Sequence, residues 1–283
     1  GEARDVLGGS AVHFSLAATF FSPVRLVGVV GDDFPDAFRA VLAERDIDLR
    51  GLEVRRGSRT FRWSGRYTGD MNEAETLHVD LNVLAEAGPR IPDAFRDSPC
   101  VFLAATHPGL QADFIGQLTR PRLVVADTRD LWIRTQREPL VRVLGKVTGA
   151  ILNDGEARLL TGETNLIAAG RSVLRYGPTF VVIKKGEHGA MLITGDHVFA
   201  LPAFPTTEVK DPTGAGDSFA GGMMGYLATR PECTCLELKR ALARGTVTAS
   251  YTIEDFGPAR IRRVTQEDIN ARLREYVEAM RID

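Results

Sequence analysis

The chain has 283 residues, 44% hydrophobic and 25% charged, which suits one large α/β domain or two small ones with a core that needs no staples. Lys and Arg number 35 against 37 Asp and Glu, a formal net charge of -2, so no global basic field draws the chain onto nucleic acid or an anionic membrane. Cys100, Cys233 and Cys235 are too few for a disulfide framework and match no zinc spacing, and no apolar run approaches the roughly 18 to 20 residues that span a bilayer. The charged start, Gly1 to Asp5, does not read as a signal-peptide core, and the cysteine usage fits a reducing cytoplasm.

The chain starts almost at once in Gly8-Gly9-Ser10, and a strand is expected before it. Ala11 to Phe21 reads as a buried helix, Val24 to Val30 as a parallel-type strand apolar on both faces, and Asp36 to Arg45 as a helix opened by Asp33-Phe34-Pro35. Two strand-like runs follow, Leu52 to Arg56 and Thr60 to Tyr67, joined by Gly57-Ser58-Arg59. In the second, Phe61, Trp63 and Tyr67 share one face and Arg62, Ser64 and Arg66 the other. They predict a half-exposed hairpin within a lid or dimerisation flap at about 50–80, or an ordinary edge hairpin of the main sheet. The β-then-α alternation resumes with strands over Cys100 to Ala104, Leu123 to Ala126, Ala150 to Leu152, Val181 to Lys184 and Met191 to Thr194. Helices start at Pro108 and run over Asp154 to Leu160, Asn165 to Tyr176, Gly216 to Thr229 and Leu236 to Tyr251. This order predicts a single α/β domain over 1–283, a large, mostly parallel sheet flanked by helices on both faces. No Gly-x-Gly-x-x-Gly follows a first strand and no Walker-type loop is present, which speaks against a dehydrogenase or a P-loop enzyme.

The segment richest in chemistry is Asp211-Pro212-Thr213-Gly214-Ala215-Gly216-Asp217-Ser218-Phe219-Ala220-Gly221-Gly222. Small residues running into a helix let backbone N–H groups converge at its N-terminus as an anion hole. Asp217 in the opening turn is placed to accept a proton from a substrate hydroxyl, and the helix dipole is expected to hold it ionised. Phosphoryl transfer asks for little more than positioning, charge neutralisation and a proton acceptor. The plainer account is an Asp near the N-cap with glycines for close helix packing.

This segment resembles the C-terminal signature of the ribokinase-like (PfkB) carbohydrate kinases. Gly8-Gly9-Ser10-Ala11-Val12-His13 followed by Val27-Gly28-Val29-Val30-Gly31-Asp32-Asp33 resembles the N-terminal one. The resemblance implies a ribokinase-like fold with a small β lid and ATP-dependent phosphorylation of a hydroxymethyl group on a sugar or nucleoside. It makes Asp217 the catalytic base and the backbone of Gly214, Ala215 and Gly216 the anion hole. Asp211 and Thr213 match positions that hold a monovalent cation, such as K+, in many members. Asn153-Asp154-Gly155-Glu156 resembles the Asn-x-x-Glu element that links Mg2+, through water, to the phosphates; the same residues also read as a helix-capping box. Val181 to Ala190 resembles the nucleotide loop, with Gly186 and Gly189 passing close to ATP and Lys184 near the phosphates. Gly245 and Thr246 match a position bordering the adenine, and Phe256-Gly257 the turn after that helix.

On the acceptor side the sequence departs from the family, since His13 stands where an Asn usually bonds sugar hydroxyls. The substrate-binding aspartate of the first strand would precede Gly1. Gly9, Ser10, Asp33, Thr106 and His107 are further substrate candidates, and Asp127 lies at a strand's C-terminal end, where ligands of open α/β sheets gather. Arg62, Trp63, Arg66 and Tyr67 of the lid are placed to clamp a substrate or to form a solvated edge. The primary expectation is a sugar kinase using ATP and Mg2+. The alternatives are a nucleoside kinase on the same frame and a non-catalytic sugar- or nucleotide-binding homologue. The exposed aromatic face of the hairpin also suggests a homodimer through the lid.

Overall fold

The computed structural model describes residues 1–69, 71 and 74–281. Apolar and small residues dominate helix α1 (Ser10–Ala18), which starts at Gly9, whose φ of 96° demands a glycine. Strand β1 (Val24–Gly31) follows, then helix α2 (Asp36–Ala43), with Pro35 as its N-cap, and strand β2 (Ile47–Arg55), which runs parallel to β1. Strands β3 (Arg62–Tyr67) and β4 (Ala74–Asp80) form a separate antiparallel pair. The main layer then builds up through β5 (Cys100–Leu103), α3 (Pro108–Gln117), β6 (Leu123–Asp127), α4 (Asp130–Thr135), α5 (Arg137–Leu144) and β7 (Gly149–Asn153). It continues with α6 (Asp154–Thr161), α7 (Leu166–Leu174), β8 (Phe180–Lys184), β9 (Ala190–Thr194) and β10 (Val198–Leu201). The long helices α8 (Ala215–Ala228), α9 (Cys235–Thr252) and α10 (Gln266–Ala279) close the chain.

The six-stranded sheet has the order β10-β9-β8-β7-β6-β5, parallel from β5 to β8 and antiparallel at β9 and β10. Its strands are apolar on both faces because each face is covered. Leu123 and Val125 of β6, with Phe180 and Val182 of β8, face a core shared with α1, α8 and α9. Val124 and Ala126, with Val181 and Ile183, face a second core with α5, α6 and α7. This side-to-side alternation puts the C-terminal ends of β6, β7 and β8 in a row, carrying Asp127, Asn153 and Lys184.

The expected hairpin forms with a different partner. Leu52 to Arg56 does not pair with Thr60 to Tyr67; it belongs to β2, while β3 pairs with β4. Local anchoring explains why. The Gly57 N–H donates to Asp32 Oδ2 at 2.8 Å, and the Thr60 N–H and Oγ1 donate to Asp33 Oδ1 at 2.6 and 2.7 Å. The Gly31 N–H in turn donates to Thr60 Oγ1 at 3.0 Å. Gly57-Ser58-Arg59 is thereby tied to the end of β1, and the chain leaves for the lid from there. Within β3 the expected alternation holds: Arg62, Ser64 and Arg66 are exposed, Trp63 and Tyr67 half-buried. Residues 70, 72 and 73, inside the expected lid span, lie outside the described residues.

Asp33, expected at the substrate, is an exposed anchor of the lid root, and the Thr60 bonds hold its carboxyl below the usual carboxylate range. Asp33→Ala is expected to speed hydrogen exchange at the Thr60 amide about tenfold, the loss of roughly one charge-assisted bond. An unchanged exchange rate contradicts this role.

Candidate active site

Helix α8 begins at the C-terminal edge of the sheet. Gly214 is its N-cap with φ 79°, a conformation glycine adopts freely, and the place of its missing side chain is taken by the His13 ring. Further along, a Cβ at Gly221 would collide with the Phe14 carbonyl of α1, and one at Gly222 with the Thr248 hydroxyl of α9. These glycines let three helices approach closely, which brings the start of α1 against the start of α8. There the Ser10 hydroxyl hydrogen-bonds the carboxyl of Asp217.

Asp217 is half-buried in the first turn of α8. Its pKa is raised to about 6, chiefly by burial and then by the Asp127 carboxylate, against the pull of Lys184, Ser10 and Arg129. Burial thus outweighs the helix dipole that the sequence was expected to exploit. The result is a stronger base than a free aspartate, still ionised in most molecules at neutral pH.

Lys184, at the end of β8, reaches across β7 to Asp127 at the end of β6, with Nζ 3.0 Å from Oδ2. The same Nζ stands 2.9 Å from where a Cβ of Gly216 would be, directly over the start of α8. Burial pulls the ammonium pKa down, but Asp127, Glu156 and Asp217 together lift it above the usual lysine value. Asn153 and Glu156 form the capping box of α6: each backbone N–H donates to the other's side chain at 2.7 Å. Burial, followed by the charge of Asp127, raises Glu156 to about 7, with Lys184 and the Asn153 N–H opposing. Asp127, Glu156, Lys184 and Asp217 therefore share one electrostatic pocket.

His13 is fully enclosed; neither ring nitrogen has a hydrogen-bond partner, and burial lowers its pKa to about 4 against the pull of Asp211. It is a neutral imidazole beside the glycine loop. Asp211 Oδ1 accepts the Thr213 N–H at 3.0 Å, and Thr213 Oγ1 donates to the Tyr67 hydroxyl at 3.3 Å, so the lid touches this loop.

Several expected residues also have structural roles of their own. The Ala215 N–H donates to the Pro212 carbonyl at 3.1 Å, so the turn before α8 already uses one of the three expected anion-hole amides. A side chain at Gly189 (φ 83°) would strike the Leu201 carbonyl, so this glycine serves a close backbone crossing with the end of β10. Gly186 has φ 54° in the turn before it. Thr246 is buried on α9 beside Tyr276 of α10. His107 caps α3, accepting the Gly109 N–H through Nδ1 at 3.0 Å. The Asp127–Lys184 pair, 57 residues apart in the chain, and the nearness of Arg129 to Asp217 went unread in the sequence. Their one legible sign was a charged residue at the end of each of two apolar strands.

Residues 121–263 match the pfkB family carbohydrate kinases. A relative named cytidine kinase, from Thermococcus kodakarensis, is 30% identical over 244 residues, spanning 83% of this chain and 86% of that protein. The chain belongs to the PfkB family. It is a kinase with the ribokinase fold. Among solved structures it is similar to the Methanocaldococcus jannaschii nucleoside kinase, with TM-score 0.78, 21% identity, and coverage of 97% of this chain and 88% of that one. It is also similar to a putative ribokinase II from E. coli in complex with ATP and Mg2+, with TM-score 0.76, 20% identity, and coverage of 97% and 94%. Among the described residues no helix is long and apolar enough to cross a membrane.

The raised Asp217 pKa carries a stability consequence. The ordinary value is 3.8 and the folded value about 6, so folding favours the protonated acid. The cost of ionising Asp217 is absent below about pH 4 and complete above about pH 6. Asp217→Asn is therefore expected to be more stable than the parent by about 1–3 kcal/mol at pH 8, the gain vanishing near pH 4. Denaturant melts at the two pH values check this; equal stability at pH 8 contradicts it.

Proposed function

We propose that this kinase transfers the terminal phosphoryl group of ATP to a hydroxymethyl group of a nucleoside or sugar, with Asp217 as the base. The observation that carries the reading is the half-buried Asp217 carboxyl, its pKa raised to about 6, bonded to Ser10 and set beside the Lys184 ammonium at the start of α8. The acceptor hydroxyl lies beside Ser10 and Asp217 and gives its proton to Asp217 as its oxygen attacks the γ-phosphorus. The bond from phosphorus to the β–γ bridging oxygen breaks, and the electron pair leaves with ADP. The backbone N–H groups of Gly214 and Gly216, with the Lys184 ammonium, face the charge that the transferring group carries. Ala215 adds its N–H only by giving up its turn bond to Pro212.

Mg2+, when bound with ATP, neutralises phosphate charge and orients the phosphates. Among the described residues no group of three or more His, Cys, Asp or Glu side chains is arranged to hold a metal ion alone. That fits Mg2+, which keeps its waters and rides on phosphate with few protein ligands. Glu156 is the carboxylate that would meet it through water, oriented by the Asn153 cap. Lys184, Gly186 and Gly189 border the phosphate side. Asp211 and Thr213 form a candidate position for K+ beside the glycine loop.

The acceptor is more specifically a nucleoside in this reading, because the relative with 30% identity is named cytidine kinase. His13, enclosed and packed on Gly214, backs the glycine loop as a neutral ring. Tyr67, bonded to Thr213, joins the lid to the loop so that closure excludes water from the transfer. The exposed apolar side chains of β4, Leu77 at 51% and Val79 at 42%, suit a second copy of the chain across the lid.

Asp217→Asn is expected to lower kcat by about 10³-fold or more while ATP affinity changes little, because the base acts only in transfer. Steady-state kinetics and ATP titration check this, and near-normal turnover contradicts the assignment. A panel of pyrimidine and purine nucleosides, pentoses, hexoses and keto-deoxy acids, read by ADP release, should give its highest kcat/KM with a nucleoside. A sugar in that place overturns the nucleoside reading, and no ADP release with any acceptor favours a binding protein. Light scattering should show a dimer that Leu77→Asp dissociates; a monomer at high concentration contradicts the lid interface.

A further inference from the structure

Asp127 and Lys184 occupy the last register positions of β6 and β8, and the pair their side chains form is largely buried without capping a helix. A lysine carries four flexible methylenes and a compact charge that follows the nearest carboxylate. Lys184 has three to choose from, Asp127, Glu156 and Asp217, all close enough to raise its pKa. Its ammonium sits on Asp127, at 3.0 Å, with the lysine side chain 19% and the aspartate side chain 4% exposed.

Asp127 is itself rigidly held. Its Oδ1 accepts the Thr128 N–H at 2.8 Å, which leaves Oδ2 for the ammonium. Its backbone carbonyl accepts Gln111 Nε2 at 2.9 Å, and the same amide donates to the Ala104 carbonyl at 2.9 Å. Gln111 is completely buried, so this brace ties the end of β6 to the end of β5. The fixed oxygen thereby fixes the place of the ammonium over Gly216, 2.9 Å from where a Cβ of that residue would stand.

We propose that Asp127 is a positioning residue for phosphoryl transfer: it parks the Lys184 ammonium at the mouth of the glycine loop and keeps it off the Asp217 carboxylate. The inference rests on the reading of Asp217 as base. Without Asp127, the ammonium is left with Glu156 and Asp217. A direct pair with Asp217 would occupy the oxygen that must take the acceptor's proton, and would move the positive charge away from the transferring phosphoryl oxygens. Asp127 touches neither reacting group; beyond the share its charge has in raising Asp217, it acts through where it puts Lys184.

A double-mutant cycle in kcat separates this role from a merely structural one. Asp127→Asn keeps an oxygen for the Thr128 N–H and is expected to lower kcat by about 10- to 100-fold, with the acceptor KM within about threefold. Lys184→Met is expected to lower kcat by at least as much. At pH 8, where Asp217 is ionised with or without the Asp127 charge, the further change Asp127→Asn in the Lys184→Met background should alter kcat by less than about threefold, since the group it positions is gone. Additive losses in the cycle, or an Asp127→Asn kcat within twofold of the parent, overturn the proposal. Should Asp127→Asn fail to fold, Asp127→Glu, which retains the charge but displaces it by one methylene, takes its place in the cycle with the same criteria. Asp217→Asn, measured alongside, keeps the two readings apart. An active Asp217→Asn refutes the base, whereas an inactive one with an additive cycle refutes only the positioning role.

Discussion

The interaction on which the site depends is the burial of a mixed-charge cluster at one edge of the sheet, three carboxylates around a single ammonium. Removing these charges from water is costly, and the cost shows in the upward shifts of Asp217 to about 6 and Glu156 to about 7. Such a cluster makes a poor stability device. Its excess of carboxylates calls for a cation: in the proposed reading the Mg2+ that rides on a nucleotide would meet the carboxylates, and the Lys184 ammonium alone would face phosphate oxygens. The parallel strands place it: β6, β7 and β8 all end on the same side, and α6 and α8 both start there, so side chains, amides and helix dipoles converge without any long loop.

Helix packing does the remaining alignment. The glycines of α8 are spent on contacts: Gly221 and Gly225 against α1, Gly222 against α9. Close packing of α1 on α8 sets Ser10 on Asp217 and the His13 ring on Gly214. The helix whose start is proposed as a phosphate loop is thus also a helix-packing seam. The lid joins this arrangement through Tyr67 and Thr213, and its root is pinned by Asp32 and Asp33 at the end of β1.

Much of the fold was legible because buried parallel strands are short apolar runs between helices. β5 to β9 and α6 to α9 fall where the apolar pattern put them, within a few residues. The failures have local causes. Gly57-Ser58-Arg59 looks like a hairpin turn, but β2 is drawn to β1 by parallel pairing, a contact that no turn residue announces. β4 carries no alternation of burial, so nothing marked it, and α4, α5, β10 and α10 were not read. For the site, the glycine loop and Asp217 were visible because their chemistry is contiguous in sequence. The Asp127–Lys184 pair was not, since it joins strands separated by another strand. The bond of Asp33 to Thr60 was not legible, because an acidic residue in a signature loop reads the same whether it meets a ligand or a threonine.

In the proposed mechanism, burial and the neighbouring Asp127 turn Asp217 into a base that titrates close to neutrality. The pH dependence of kcat/KM for the acceptor, at saturating Mg2+ and ATP, tests it most directly. The account predicts an acid limb of unit slope with its midpoint near pH 6, the activity rising as Asp217 loses its proton. A profile that stays flat down to about pH 4, the range of an unperturbed aspartate, would contradict it.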